Sequence, residues 1–318
     1  MTQTLDLARP NSLPEDGTVG GTSPRRPRRT LFAALFIVLV ASVSWGLSSI
    51  KIGDIVQDHN GPILVVGDSL VVQATQALRS WNLPSTPIMP EGGSGSAPCD
   101  WNTGYVDPIS GDHLKFSTTF QRIHPAAVVF AFTGNPGLEP RITGCVNSSR
   151  NYTIAALLAS YREALTEMAT YASKHGAAVY LSATPPRNPA TPAGTYLGSA
   201  GNKEYGFNGV PALNELYKSI ARSKVGTSLH WTYDPYPAEY VSTKNLTWRM
   251  TERCRPWNAV VCAQGVVEVR SGGLDAIHLD PGGSGAVLYA IGLVKLPLDE
   301  MSGSGSSNPI LSALAPGN

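Results

Sequence analysis

The sequence, 318 residues long, predicts an α/β domain from about residue 58 to 298, a mostly parallel sheet covered by helices on both faces. Three observations predict it. Apolar runs of strand length at Ile63 to Val66, Ala126 to Phe132 and Ala177 to Leu181 each end abruptly in a polar turn, as strands buried on both faces do. Segments with apolar residues at helical spacing follow them. No internal repeat and no second core interrupts the alternation, so one sheet accounts for the whole region.

The first run, Pro62-Ile63-Leu64-Val65-Val66, stops at Gly67-Asp68-Ser69, after which Leu70, Ala74, Ala77, Leu78 and Trp81 recur at helical spacing. Ser69 therefore stands at the carboxyl end of a strand and the amino end of a helix, where free N–H groups favour negative charge. Thr86 to Pro90 reads as a short second strand leading into the glycine-rich loop Glu91 to Trp101. The strand over 126–132 ends at Thr133-Gly134-Asn135-Pro136. Apolar positions from Ile154 to Ala172 give an amphipathic helix, stopped by His175-Gly176. The strand from Ala177 to Leu181 ends in Ser182 to Pro186, whose prolines forbid further pairing. Residues 187–207 read as a loop, and Leu213, Leu216, Tyr217 and Ile220 mark another helix. The Trp- and Tyr-rich region 230–265 has no clean period and is left unassigned, a lid or substrate wall being the reading it invites. Asp275 to Gly283 precedes an apolar helix through Leu293, and the Gly- and Ser-rich tail, residues 299–318, reads as disordered.

Before the domain, residues 1–30 are polar and rich in Pro, Gly and Arg, the composition of a disordered arm. It ends in Arg25-Arg26-Pro27-Arg28-Arg29. Leu31 to Ile50 then carries no charge, and at about 1.5 Å per helical residue it can cross a hydrocarbon core about 30 Å thick. We read one transmembrane helix, residues 31–50, with the arginines on the cytoplasmic side and the domain outside. The competing reading is a signal peptide cleaved near Ser42-Val43-Ser44, giving a secreted protein. Signal-peptide apolar regions are shorter, about 7–15 residues, which favours the retained anchor. A net charge of +1 provides no basic surface for nucleic acid.

All four cysteines, Cys99, Cys145, Cys254 and Cys262, follow the span, and an even number outside the cell reads as disulfides. Three pairings are open. Local pairing of Cys254 with Cys262 leaves Cys99 with Cys145, the arrangement preferred here. No C-x-x-C spacing supports zinc or a redox centre, so neither metal nor cofactor is expected.

Serine hydrolysis needs a hydroxyl beside an imidazole, a carboxylate that orients the imidazole, and donors aimed at the oxyanion. Ser69 supplies the hydroxyl on its turn. Among the six histidines, His278 alone lies in a turn before a helix with an aspartate, Asp275, three residues earlier. Asp280, two residues on, is the alternative partner, though beside Pro281 it fits better as a helix cap. Asn135 can donate its side-chain amide from another strand end, and the loop over 92–95 can offer a backbone N–H. The blander alternatives are a helix cap for Ser69 and a turn role for Asn135. The Trp and Tyr residues of 231–257 could stack on sugar rings or simply pack.

Gly67-Asp68-Ser69-Leu70, a loop glycine, Gly134-Asn135 and Asp275-x-x-His278 resemble, in order, the four blocks of the SGNH, or GDSL, hydrolases. The resemblance spans essentially the whole exported domain. It implies a three-layer α/β/α flavodoxin-like sandwich and metal-free esterase or acyltransferase chemistry, with Ser69 as nucleophile, His278 as base and Asp275 as its partner. It also implies an oxyanion hole of the Ser69 N–H, a glycine N–H and Asn135. Gly95 is the glycine favoured, because Gly95-Ser-Ala-Pro-Cys-Asp-Trp101 resembles the corresponding stretch of exported relatives; Gly93 is the alternative. Those relatives often work beside membrane acyltransferases, which makes such an enzyme the expected partner.

The function expected is thus an extracytoplasmic serine esterase acting on small O-acyl groups of a cell-envelope glycan or lipid. An O-acyltransferase using the same triad is the alternative, and a non-catalytic glycan-binding module is a second.

Overall fold

The structure is a computed structural model. It describes residues 61–80, 86–135, 137, 145–146, 153–186, 202–223, 231–242, 249, 251–253, 262, 266–270, 278–279 and 283–301, with backbone alone for 202–210, 252 and 266–268. The chain divides into Met1–Gly46 and Leu47–Asn318, and every described residue belongs to the second unit. The expected arm and anchor, the tail from 302, and Asp275, Asp280 and Cys254 lie outside the described residues. Among the described residues no helix is long and apolar enough to cross a membrane.

The elements in chain order are β1 (Ile63–Gly67), α1 (Ser69–Ser80), β2 (Ile88–Gly92), α2 (Pro98–Thr103), β3 (Tyr105–Val106), β4 (His113–Leu114), α3 (Phe116–Ile123), β5 (Ala127–Ala131), α4 (Ile154–Lys174), β6 (Ala178–Ser182), α5 (Asn202–Arg222), β7 (Trp231–Asp234), α6 (Tyr236–Glu239), β8 (Thr251–Arg253), β9 (Val266–Glu268) and α7 (Ser284–Met301). Five of the strands form one sheet in the order β2-β1-β5-β6-β7, and every pairing in it is parallel. Counting only these strands, the order is 2-1-3-4-5, the flavodoxin-like arrangement that the motif resemblance implies.

Alternation along each strand explains why both faces are covered. Ile63, Val65, Ala127, Val129 and Tyr180 pack on one face against Leu70, Val71, Ala74 and Leu78 of α1 and Leu288, Tyr289 and Ile291 of α7. Leu64, Val66, Val128, Phe130, Val179 and Leu181 pack on the other against α3, α4 and α5. All of these strand residues are buried, and each large aliphatic one withdrawn from water contributes about 1.5–3 kcal/mol. Helix α4 starts where Thr153 caps it, its side chain accepting the Ala156 N–H at 3.1 Å, and ends at Gly176, whose φ of 87° no β-carbon favours.

Some boundaries differ from the sequence reading. The helix expected around 213–220 begins at Asn202, so residues 202–207 are helical and not loop, and Pro211 lies inside the helix. Helix α7 runs past Leu293 to Met301. The unassigned region contributes the edge strand β7, where Trp231 is buried and donates its Nε1–H to Ser173 Oγ at 2.7 Å. Trp231 and Tyr240 are core residues, so packing, not sugar stacking, accounts for these two aromatics.

Cys99 and Cys145 form a disulfide with a Cα–Cα distance of 5.0 Å, the preferred pairing for those two. Cys262 is disulfide-bonded as well.

Candidate active site

Strand β1 has β2 on one side and β5 on the other, so the chain reverses direction across the sheet between them. A crevice opens at the carboxyl ends of strands at such a switch point. The turn after β1 carries Ser69 and the segment after β5 carries Asn135.

The β1 turn is held by Asp68. Its carboxylate Oδ1 accepts the Leu70 N–H at 3.1 Å and its carbonyl accepts the N–H groups of Val71 and Val72 at 3.0 and 3.2 Å. Asp68 is therefore the N-cap of α1. The Ser69 hydroxyl is left free of that duty and faces His278, whose Nε2 lies 3.0 Å from Ser69 Oγ. Gly67 precedes this turn because a β-carbon there would stand 2.3 Å from the Ala131 carbonyl and 2.4 Å from Val71 Cγ2.

The other carboxylate oxygen reaches across to β5. Asp68 Oδ2 accepts the Thr133 N–H at 2.7 Å, the Thr133 hydroxyl at 2.6 Å and the Asn135 Nδ2–H at 3.0 Å. This buried carboxylate is accordingly surrounded by donors, the condition under which burial of a charge is tolerated. The contact fixes which way the Asn135 amide points, with nitrogen toward Asp68 and one of its two N–H bonds left over. From behind, the Tyr161 hydroxyl of α4 donates to the Asn135 carbonyl at 2.7 Å.

The glycine loop is tied to the same strand end. The Gly93 N–H donates to the Gly67 carbonyl at 3.0 Å, so that N–H is already engaged. Ser96 closes a turn by donating its N–H to Gly93 O at 3.1 Å, and its hydroxyl also donates to Gly93 O, at 2.8 Å. Gly95 occupies the third position of this turn with φ of 77°, a conformation that glycine adopts without strain. Among the described residues, neither the Gly95 N–H nor the Ser69 N–H has an acceptor. Ala97 and Asp100 then start α2, the Ala97 N–H donating to Asp100 Oδ2 at 2.8 Å, and the Cys99–Cys145 disulfide follows directly.

The structure thus brings Ser69, His278 and Asn135 to one end of the sheet, with the loop of Gly93 and Gly95 beside them. Asp275 lies outside the described residues. The sequence reading placed Asp68 within the Gly67-Asp68-Ser69-Leu70 block and missed its link to Asn135, to which no local spacing points. No group of His, Cys, Asp and Glu suited to a metal ion occurs among the described residues.

Such an arrangement can polarise a hydroxyl with an imidazole and offer N–H donors to a developing oxyanion. The α1 N-terminus beneath Ser69 adds favourable potential for that negative charge.

No family model matches the chain, and no curated protein matches it. Among solved structures the chain is similar to a GDSL-like lipase from Bacteroides thetaiotaomicron, at 14% identity and a TM-score of 0.44, covering 76% of this chain and 88% of that one. It is also similar to a carbohydrate acetylesterase family member from Sinorhizobium meliloti, at 16% identity and a TM-score of 0.43, covering 76% and 99%. A second carbohydrate acetylesterase from that organism gives 17% identity and a TM-score of 0.42, covering 73% and 97%. The functional reading is carried by the site itself.

Proposed function

We propose that this chain is a serine esterase of the SGNH type that removes small O-acyl groups from a cell-envelope glycan or lipid. The observation that carries the reading is the approach of His278 Nε2 to within 3.0 Å of Ser69 Oγ, from residues 209 apart in sequence.

Ser69 Oγ attacks the ester carbonyl carbon while its proton passes to His278 Nε2. The tetrahedral oxyanion is met by the N–H groups of Ser69 and Gly95 and by the spare Asn135 N–H. As the intermediate collapses, His278 returns the proton to the departing alcohol and an acyl-serine remains. Water then gives a proton to His278 and attacks the acyl carbon, and as this second intermediate collapses His278 returns the proton to Ser69 Oγ, releasing the carboxylic acid. In this scheme Asp275 orients the imidazole and balances its charge.

Three observations support the reading together: the motif order, the donors left without acceptors, and a serine relieved of capping by Asp68. The full-length chain should hydrolyse p-nitrophenyl acetate and release acetate from an acetylated glycan, and a fluorophosphonate should label it at Ser69. Persistence of hydrolysis and labelling in Ser69→Ala would sink the proposal.

We place the domain outside the cytoplasm, on the anchor read at residues 31–50. Extraction of membranes at alkaline pH distinguishes retention from release of a cleaved form, and added protease should reach the domain in intact cells.

A further inference from the structure

The imidazole at 278 sits on backbone that belongs to neither a helix nor a regular strand, so something else must hold it. Two contacts hold the adjacent residue, Leu279. Its backbone forms an isolated antiparallel bridge with Arg270, and its N–H donates to Gln73 Oε1 at 3.1 Å. Arg270 is itself buried and donates from its guanidinium to the Pro186 carbonyl at 3.2 Å. Gln73 is the member of this set that shares an element with Ser69. The two lie four residues apart on α1, on one face of the helix and one turn from each other. Helix α1 therefore meets the 278–279 segment twice: through Ser69 Oγ on the His278 ring, and through Gln73 Oε1 on the Leu279 backbone.

We propose that Gln73 is a positioning residue that fixes the His278 imidazole against Ser69. This inference rests on the reading of Ser69 and His278 as nucleophile and base. The Leu279 N–H demands an acceptor, which sets the orientation of the Gln73 amide with its oxygen toward the segment. Because Leu279 is buried, its N–H cannot turn to water when that acceptor is lost. The segment must then shift to find another, and the imidazole shifts with it. A displacement of about 1 Å between reacting groups costs on the order of 10²-fold in rate. The effect should appear in kcat, because Gln73 contacts the Leu279 backbone next to the base and reaches the reacting atoms only through His278.

The test uses the full-length chain with p-nitrophenyl acetate, measuring kcat and KM from acid to alkaline pH, with activity scaled to the folded fraction by near-UV circular dichroism. Gln73→Met keeps the length and removes the acceptor. It should lose about 10–100-fold in kcat with KM within about two-fold of the parent. Gln73→Glu keeps an acceptor for the Leu279 N–H, so it should recover most of that loss. Its added negative charge should move the acid limb of kcat/KM to higher pH. A Met variant with parental kcat overturns the proposal, as does a Glu variant impaired as severely as the Met variant. His278→Ala separates the two layers. If it retains parental kcat, the reading of His278 as base fails. If it is inactive while Gln73→Met is parental, only the role of Gln73 falls.

Discussion

Asn135 Nδ2 donates to Asp68 Oδ2 at 3.0 Å, joining two turns that lie 67 residues apart in sequence. The residue before Ser69 thereby orients the Asn135 amide, which on the proposed reading is offered to the oxyanion. Replacing Asp68 with Asn should put an N–H donor among the Thr133 and Asn135 donors, costing about 1–3 kcal/mol for each group left unsatisfied. A loss of stability in urea unfolding and a fall in kcat should appear together. A variant with parental kcat would show that the Asn135 amide is set by other contacts.

Asn135→Ala should remove one oxyanion donor and lower kcat by about 10²–10³-fold, with KM little changed. Steady-state kinetics on an acetyl ester checks this. A change confined to KM would instead place Asn135 in ground-state binding.

At Gly93 a β-carbon would stand 1.9 Å from the Tyr105 hydroxyl and 3.0 Å from Ser96 Oγ. Tyr105 is buried and, among the described residues, its hydroxyl has only a poorly aligned contact with the Ser96 side chain, so removing that hydroxyl forfeits little. Gly93→Ala should destabilise by about 1–3 kcal/mol, and Tyr105→Phe in the same chain should restore part of the loss. Unfolding of the two single variants and the double variant measures the coupling directly.

Asp234 is wholly buried at the end of β7. Its Oδ1 accepts the Tyr236 N–H at 3.0 Å, while Oδ2 has no partner among the described residues. Burial holds its carboxyl well above the usual carboxylate range, with Glu239 and Glu300 adding to the effect and the Tyr236 N–H and Lys295 opposing it. The folded chain thus keeps this proton to higher pH than the unfolded chain. Stability must fall as pH climbs from the ordinary carboxylate range to the raised folded value. Asp234→Asn abolishes that penalty, so the difference in Tm between variant and parent should rise, by about 2–4 °C per kcal/mol of penalty removed, between pH 4 and pH 8. A difference independent of pH would refute the ionisation argument.

Loss of the Cys99–Cys145 disulfide through Cys99→Ser with Cys145→Ser should cost about 2–4 kcal/mol. Because Cys99 lies four residues after Gly95 and at the start of α2, kcat should fall as well. Unreduced peptide mapping should recover the peptide containing Cys99 linked to that containing Cys145.

Sheet and helices were legible where composition alone decides the outcome. The aliphatic runs of β1, β5 and β6 have no other way to be buried on two faces, and the period of α4 is unambiguous. Strand β7 was not legible, because Trp231-Thr-Tyr-Asp234 is short, aromatic and flanked by proline. The sequence separates Ser69 from His278 by 209 residues, yet motif order sufficed to associate them. Gln73 and the reach of Asp68 to Asn135 carried no such signal, since the partners of both are set by tertiary contact and neither lies at a distinctive spacing from them.

The order in which the two halves of the Ser69–His278 pair are made also matters. Ser69 leaves the ribosome 209 residues before His278, with α7 still to follow. A nascent or prematurely terminated chain can therefore carry the serine and the whole β1–α1 unit yet remain chemically silent. On the proposed reading, reactivity arrives only once the segment that bears His278 has been made.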